Sequence, residues 1–323
     1  MSKFAERMER DFSVRRTPRE KENFRSWLLW ELREMGYHAE LQSRDSVLQS
    51  GGRVTNVVAG DPDRARLLLV AHYDTGLRPV FPPLLMPTRP LTGFLYMALT
   101  PVCAMLASFL LAFVPAFLIT AASQYRINLA GWTLPLFLAL LAASLCYLRF
   151  GPPETRNTGD NASGVAALLE IAGALTPRYR GEVAFAFLDG GFGGLSGAKG
   201  FRAAYPSSKD KPVFNLNCVA LGDELMILPG RAGRWNGAVL DAILESFESG
   251  GRKTVFLKTD GLTYYPSDNR AFRMGFAVFA CEKLPGFGRI VRPRRAVSVD
   301  GENLEILKKG FCRLAETYRP QDG

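Results

Sequence analysis

The chain has 323 residues, with 40 Lys and Arg against 31 Asp and Glu and a formal charge of +9. That length holds one large core or a domain with something added to it, and the charge suits an acidic partner surface such as nucleic acid or anionic lipid. Five widely spaced cysteines without a CxxC pair exclude a disulfide framework and a zinc ribbon and point to a reducing compartment.

No cleavable signal peptide is expected in Met1 to Arg25, which is charged and lacks an apolar core. Thr17-Pro18-Arg19-Glu20 predicts a helix start, with Thr17 as N-cap and Glu20 closing a capping box. Phe24, Trp27, Leu28 and Leu32 share one face, and Gly36 ends the helix. Short apolar runs at Ala39–Leu41 and Val54–Val58, parted by Gly51-Gly52, predict a β-hairpin. Leu67 to Val70 then form an unbroken aliphatic run, as in a strand buried on both faces, and the run stops at Ala71-His72-Tyr73-Asp74. An imidazole and a carboxylate two residues apart on a strand point to the same side, at the edge where open α/β sheets bind ligands.

Between Arg89 and Arg126, and again between Arg126 and Arg149, there is no charged residue. Both stretches exceed the roughly 20 residues that cross a bilayer, so two helices are predicted at about Leu91–Ala121 and Leu129–Leu148. Pro101, Pro115 and Pro135 lie inside them, which membrane helices tolerate. Ala104, Ser108, Ala112 and Ala116 repeat every fourth residue and predict a packing seam for the second helix or another copy of the chain. Arg78, Arg89, Arg149 and Arg156 flank the pair, whereas the connection has only Arg126, so the remainder is expected in the cytoplasm, on a multi-pass protein of the cell membrane. A buried helical hairpin in a soluble protein is the alternative.

After Pro152-Pro153 the sequence alternates between helix and strand. Helices are predicted at Val165–Leu175, around Phe201, at Trp235–Phe247 and at Leu304–Tyr318. Strands are predicted at Glu182–Leu188, Val213–Leu221, Leu225–Leu228, Thr254–Leu257 and Phe276–Cys281. The expected fold is α/β: a doubly wound, mixed and mainly parallel sheet with an inserted two-helix transmembrane hairpin. The expected boundaries are 1–88 and 151–323 for the two parts of the α/β domain and 89–150 for the insertion.

Five motifs in order, Ala71-His72-Tyr73-Asp74, Gly159-Asp160-Asn161-Ala162-Ser163-Gly164, Asp189-Gly190, Asn215-Leu216-Asn217 and Tyr265-Pro266-Ser267-Asp268, resemble those of the co-catalytic zinc aminopeptidases. That family includes bacterial leucyl aminopeptidase, aminopeptidase Y and glutamate carboxypeptidase. The resemblance implies that family's fold. It also implies a site of two zinc ions sharing a bridging Asp, each with a His and a further carboxylate, beside a Glu general base. Position by position, His72 matches the first His ligand, Asp74 the carboxylate that orients it, and Asp160 the bridging ligand. The pattern then fails. Gly191 stands at the general-base position, Phe192 and Asn217 at ligand positions, and Val291-Arg292-Pro293-Arg294-Arg295 where a second His belongs. The only other histidine is His38, far from these motifs.

A tight zinc site usually takes three protein ligands, and only His72 and Asp160 survive. Loss of a general base alone costs about 10²–10⁴ in rate. The expectation is therefore a membrane-anchored pseudopeptidase without metal or chemistry. Its partners would be a peptide or protein and anionic lipid, with no nucleic acid, since no recognition motif for one is present. An Arg or Lys is expected to fill the metal position and pair with Asp74 or Asp160. The alternative is a zinc-dependent aminopeptidase with a rearranged site of His72, Asp160 and a recruited Asp189 or Asp223. Without any metal, His72 and Asp74 would form a hydrogen-bonded pair, and Asp160 and Asn161 would cap the helix that follows them.

Overall fold

The computed structural model describes residues 2–46, 52–79, 81–122, 130–192, 194–293 and 298–320. Its sheet grows outward from β3 (Leu67–His72), every residue of which is buried. Parallel partners lie on both sides, β4 (Val183–Leu188) and β5 (Val213–Leu216), and β8 (Gly275–Leu284) runs parallel to β5. Antiparallel strands close the flanks. On one side β2 (Arg53–Ala59) pairs with β4, and β1 (Ala39–Asp45) pairs with β2 in the predicted hairpin. On the other, β6 (Glu224–Pro229) runs antiparallel to β8 and carries β7 (Thr254–Leu257) parallel to itself. The order is β1-β2-β4-β3-β5-β8-β6-β7, with a short β9 (Gly288–Ile290) on the end of β8. The sheet is thus mixed, with three parallel pairs in the centre and a fourth, β6 with β7, at one edge.

Two strand limits differ from the sequence expectation. The strand expected to reach Leu221 stops at Leu216, because Cys218 takes φ +58 and turns the chain. The strand expected to stop at Cys281 continues to Leu284, where β9 gives its backbone a partner.

α2 (Pro18–Glu34) starts in the predicted capping box: the Glu20 amide donates to Thr17 Oγ1 at 3.3 Å, and the Thr17 amide to Glu20 Oε2 at 2.8 Å. Gly36 follows it at φ +85. An unanticipated helix, α1 (Lys3–Asp11), precedes it. Its charges hid a narrow stripe of Phe4, Ala5 and Met8, which are buried. These two, with α5 (Ser163–Ala174), α7 (Gly237–Ser246) and α8 (Gly301–Thr317), cover one face of the sheet. On the opposite face α6 (Ser196–Ala204) sets Ala198 and Phe201 against Val58 and Val70.

Between β3 and α5 the chain makes α3 (Pro90–Ala122) and α4 (Ala130–Phe150), each continuing through its prolines. They pack as an antiparallel pair: Ser108 lies 3.5 Å from Ser144, and the ring of Phe137 meets those of Phe109 and Phe113. Ser108 and Ala112 are buried at this contact, so the small-residue seam serves the neighbouring helix. The two expected spans are not equal. Among the described residues only α3 is long and apolar enough to cross a membrane, and the apolar part of α4 is the shorter Gly131–Tyr147.

Candidate functional site

The parallel strands bring their C-terminal ends to one edge, where β3 ends in His72, β4 is followed by Asp189 and β5 by Asn217. Asp160 and Asn161 come from the turn ahead of α5, in which the Asp160–Asn161 peptide bond is cis. The Asn161 side chain is wholly buried and ties this turn to the sheet. Its Nδ2 donates to the Leu216 carbonyl at 2.9 Å, while its Oδ1 accepts from the amides of Gly164 (3.1 Å) and Cys218 (3.2 Å). A Cβ on Gly164 would lie 2.2 Å from the Leu216 carbonyl oxygen. The turn therefore needs Asn and Gly at these positions for reasons of packing. Capping falls to Asn161, which accepts from the amide three residues on, while Asp160 faces the imidazole.

His72 is buried between two carboxylates. Its Nε2 meets Asp160 Oδ1 at 3.1 Å, and its Nδ1 lies 3.4 Å from Asp74 Oδ1, a distance of ion pairing outside hydrogen-bond geometry. Burial by itself would lower the His72 pKa, but the contacts with Asp160 and Asp74 outweigh it and hold the ring well above its usual value. Asp74 shows the converse. Burial pushes it up, yet His72, Lys21 and the amide of Gly191 (2.8 Å) bring it down to about 2. Nearby, Asp268 is wholly buried with neither oxygen hydrogen-bonded among the described residues. Burial raises it to about 6 against the pull of His72.

The positions expected to have lost their function are filled by other contacts. A Cβ on Gly191 would lie 2.7 Å from His72 Cγ, so no side chain fits at the general-base position. Phe192 stands edge-on to the imidazole at 5.3 Å, and a Cβ on Gly76 would meet its ring at 2.8 Å. Asn217 points its amide nitrogen at Ser267 Oγ (2.6 Å), and that nitrogen lies 3.5 Å from His72 Nε2. Val291 pairs its backbone with Leu85, and the Pro293 carbonyl oxygen presses on Gly159, where a Cβ would lie 2.0 Å away. Arg294 and Arg295 lie outside the described residues.

The expected Arg or Lys partner of Asp74 or Asp160 is not found among the described residues. Instead the imidazole joins the two carboxylates itself. The cations contributed to this region come from the N-terminal segment. Lys21 Nζ pairs with Asp189 at 2.5 Å, both being buried. Arg15, wholly buried, donates to the carbonyls of Tyr73 and Phe12 and to Asn157 Oδ1. Burial lowers its guanidinium to about 10, partly offset by Asp74. Neither was anticipated, because a Lys on an amphipathic helix and an Arg in a loop are ordinary surface residues until the fold buries them.

The proposed recruits are committed elsewhere. Asp189 also accepts from the Thr55 amide at 3.2 Å, whereas Asp223 is exposed beside Lys253 at 3.2 Å. His38 is exposed, in the segment leading to β1. Among the described residues no three His, Cys, Asp or Glu side chains are grouped as a metal ion would require. A dinuclear zinc centre does not fit the donor set: His72 and Asp160 face each other, but Phe192 and Asn217 stand at the further ligand positions and Gly191 at that of the base, and no third His, Cys, Asp or Glu joins them among the described residues.

Residues 151–281 match the profile of Peptidase family M28. That segment, about two fifths of the chain, resembles the family. No functionally curated protein matches it in sequence. Solved structures resemble the whole chain at low identity. A leucine aminopeptidase precursor of Bacteroides thetaiotaomicron is 16% identical with a TM-score of 0.54, over 98% of this chain and 95% of that one. A Zn-dependent exopeptidase of Parabacteroides distasonis is 15% identical with a TM-score of 0.54, over 98% and 96%. A glutaminyl cyclase of Bacteroides thetaiotaomicron, bound to N-acetylhistamine, is 15% identical with a TM-score of 0.52, over 98% and 96%. At such identities the shared property is the fold, and these neighbours carry two different chemistries on it.

Proposed function

We propose that this chain belongs to Peptidase family M28 as a membrane-anchored pseudopeptidase, which keeps the family's sheet edge as a binding surface for a peptide segment or protein partner and performs no hydrolysis. The observation that carries this reading is the row Asp74–His72–Asp160, with Gly191 packed against the imidazole. The two carboxylates raise the proton affinity of the buried imidazole and so draw from it the positive charge they would otherwise seek from a metal. A glycine pressed on that ring leaves no room for a carboxylate base.

Membrane attachment is supported by the length and apolar surface of α3 and by its antiparallel packing with α4, which returns the chain to the side it left. The arginines flanking the pair support a cytoplasmic side of the cell membrane for the α/β domain. Metal analysis and a peptidase assay test the loss of chemistry. The chain purified in zinc-containing buffer should hold well under one zinc per chain and release no amino acid from aminoacyl-nitroanilides. Stoichiometric zinc, with an activity that Asp160→Ala abolishes, would overturn the reading.

A further inference from the structure

The geometry points to a bipartite site for an anionic phospholipid beside the first turns of α3, an assignment that rests on the membrane reading above. A cavity of about 780 Å³ is lined by Arg231, Arg234, Arg270 and Arg273 together with Trp235, which is 86% exposed. Arg234 is oriented by the carbonyls of Pro229 and Gly261 and by the Thr263 hydroxyl, and Arg270 stacks on the ring of Tyr264 while donating to its hydroxyl at 2.6 Å. These contacts hold the side chains in place without cancelling their charge. Among the described residues none of Arg231, Arg234 and Arg270 has a carboxylate within 4.0 Å, and Arg273 has only the exposed Asp210 at 3.5 Å. Clustered, positioned guanidinium groups are the chemistry that recognises a phosphate, which they grip with paired N–H donors.

A second cavity, of about 290 Å³, selects a lipid over a free phosphate. Its walls are apolar, formed by Leu85, Met86 and Pro266 with Phe94 and Met97 of α3. Tyr264 lines both cavities, and its amide donates to the Pro87 carbonyl at 2.9 Å, so the two openings adjoin at the point where the chain enters α3. A ligand spanning them needs an anionic head and an apolar tail.

The level in the membrane agrees. The 33 residues of α3 extend about 50 Å, against roughly 30 Å of hydrocarbon. Because α4 pairs with the part of α3 beyond about residue 100, the excess lies at the start of α3, near Phe94 and Met97. Tyr264, whose amide bonds Pro87 just ahead of α3, then sits outside the hydrocarbon on the headgroup side, where exposed Trp and Arg side chains are favoured.

The test uses the full chain in neutral detergent, titrated by calorimetry with six-carbon-chain phosphatidylglycerol, the matching phosphatidylcholine and inorganic phosphate. The anionic lipid should bind about tenfold tighter than the zwitterionic one or better, since two arginines contribute at that level near a membrane surface. The double variant Arg231→Gln/Arg270→Gln should lose this preference. Arg231→Gln alone, at an exposed residue with no described ion pair, should lose part of it while melting as the wild type does. Phe94→Ser should weaken lipid binding and leave phosphate binding unchanged. Equal affinity for the two lipids, an unaltered preference in the double variant, or inorganic phosphate binding as tightly as phosphatidylglycerol would overturn the site. Resistance to carbonate extraction from membranes is measured in parallel. A chain that resists it yet shows no lipid preference sinks this site alone, whereas a chain that carbonate releases sinks the membrane reading beneath it.

Discussion

Around His72, 3.1 Å separates the imidazole from Asp160 and 3.4 Å from Asp74, and Lys21 lies 2.5 Å from Asp189. In the basic cavity, by contrast, Arg231, Arg234 and Arg270 line an opening and have no carboxylate within 4.0 Å among the described residues. The same chemical inventory is used in two ways. Charges closed on one another inside a protein maintain structure and resist change, because removing one strands its partner in a poorly solvated place. Charges held open, with carbonyls and ring faces for support, remain available to something from outside. The sheet edge is where the family resemblance led us to look for chemistry, and it is the more closed of the two regions.

If that contrast is right, substitutions should differ in cost. The largest effect is expected from Lys21→Met, which leaves the buried Asp189 without its cation and should lower unfolding free energy by about 3–5 kcal/mol in urea titrations. A change under about 1 kcal/mol would show that the pair is not closed in the sense argued. Asn161→Ala should cost about 2–3 kcal/mol, since it strands the amides of Gly164 and Cys218. It should exceed the cost of Asp160→Ala, because the turn is tied down by the asparagine.

Asp160→Asn should cost about 1.5–3 kcal/mol near pH 6, the range for a hydrogen bond to a charged group, and should change the pH profile. The folded His72 pKa stands above its unfolded value of about 6.5, so its contribution is complete below that pH and is lost as pH rises through the folded value. Asp74, depressed to about 2, contributes fully above about pH 3.8 and loses that contribution as pH falls toward 2. Melting temperature in the wild type should therefore plateau between these limits and decline on both sides. In Asp160→Asn the alkaline decline should begin at lower pH, and ¹⁵N chemical shifts of the imidazole should report the same displacement. An unchanged alkaline limb would mean that the imidazole is not held protonated by Asp160. The smallest effect is expected from Arg231→Gln, within about 0.5 kcal/mol by thermal melting, as for a surface residue away from any network. A large loss there would show that the basic cavity is structural after all.

Local periodicity and turn chemistry carried much of the architecture. The Thr17–Glu20 capping box, the hairpin of β1 and β2, the buried run of β3 and the limits of α3 and α4 all follow from residues within one or two turns of each other. That Gly191, Phe192 and Asn217 stand where the resemblance expects a base and two ligands was equally legible, since residue type needs no geometry to be noticed. Long-range proximity decided the rest. Arg15 and Lys21 reach the sheet edge only because α2 docks there, and Asp268 becomes a buried unpaired acid only when its loop folds under Asn215 and Asn217. Tyr264, which lines both cavities, brings residues near 90, 230 and 270 together. Charge and burial act through space, and a linear sequence records spacing along the chain, so how far each group is from water and from its neighbours emerged only with the fold.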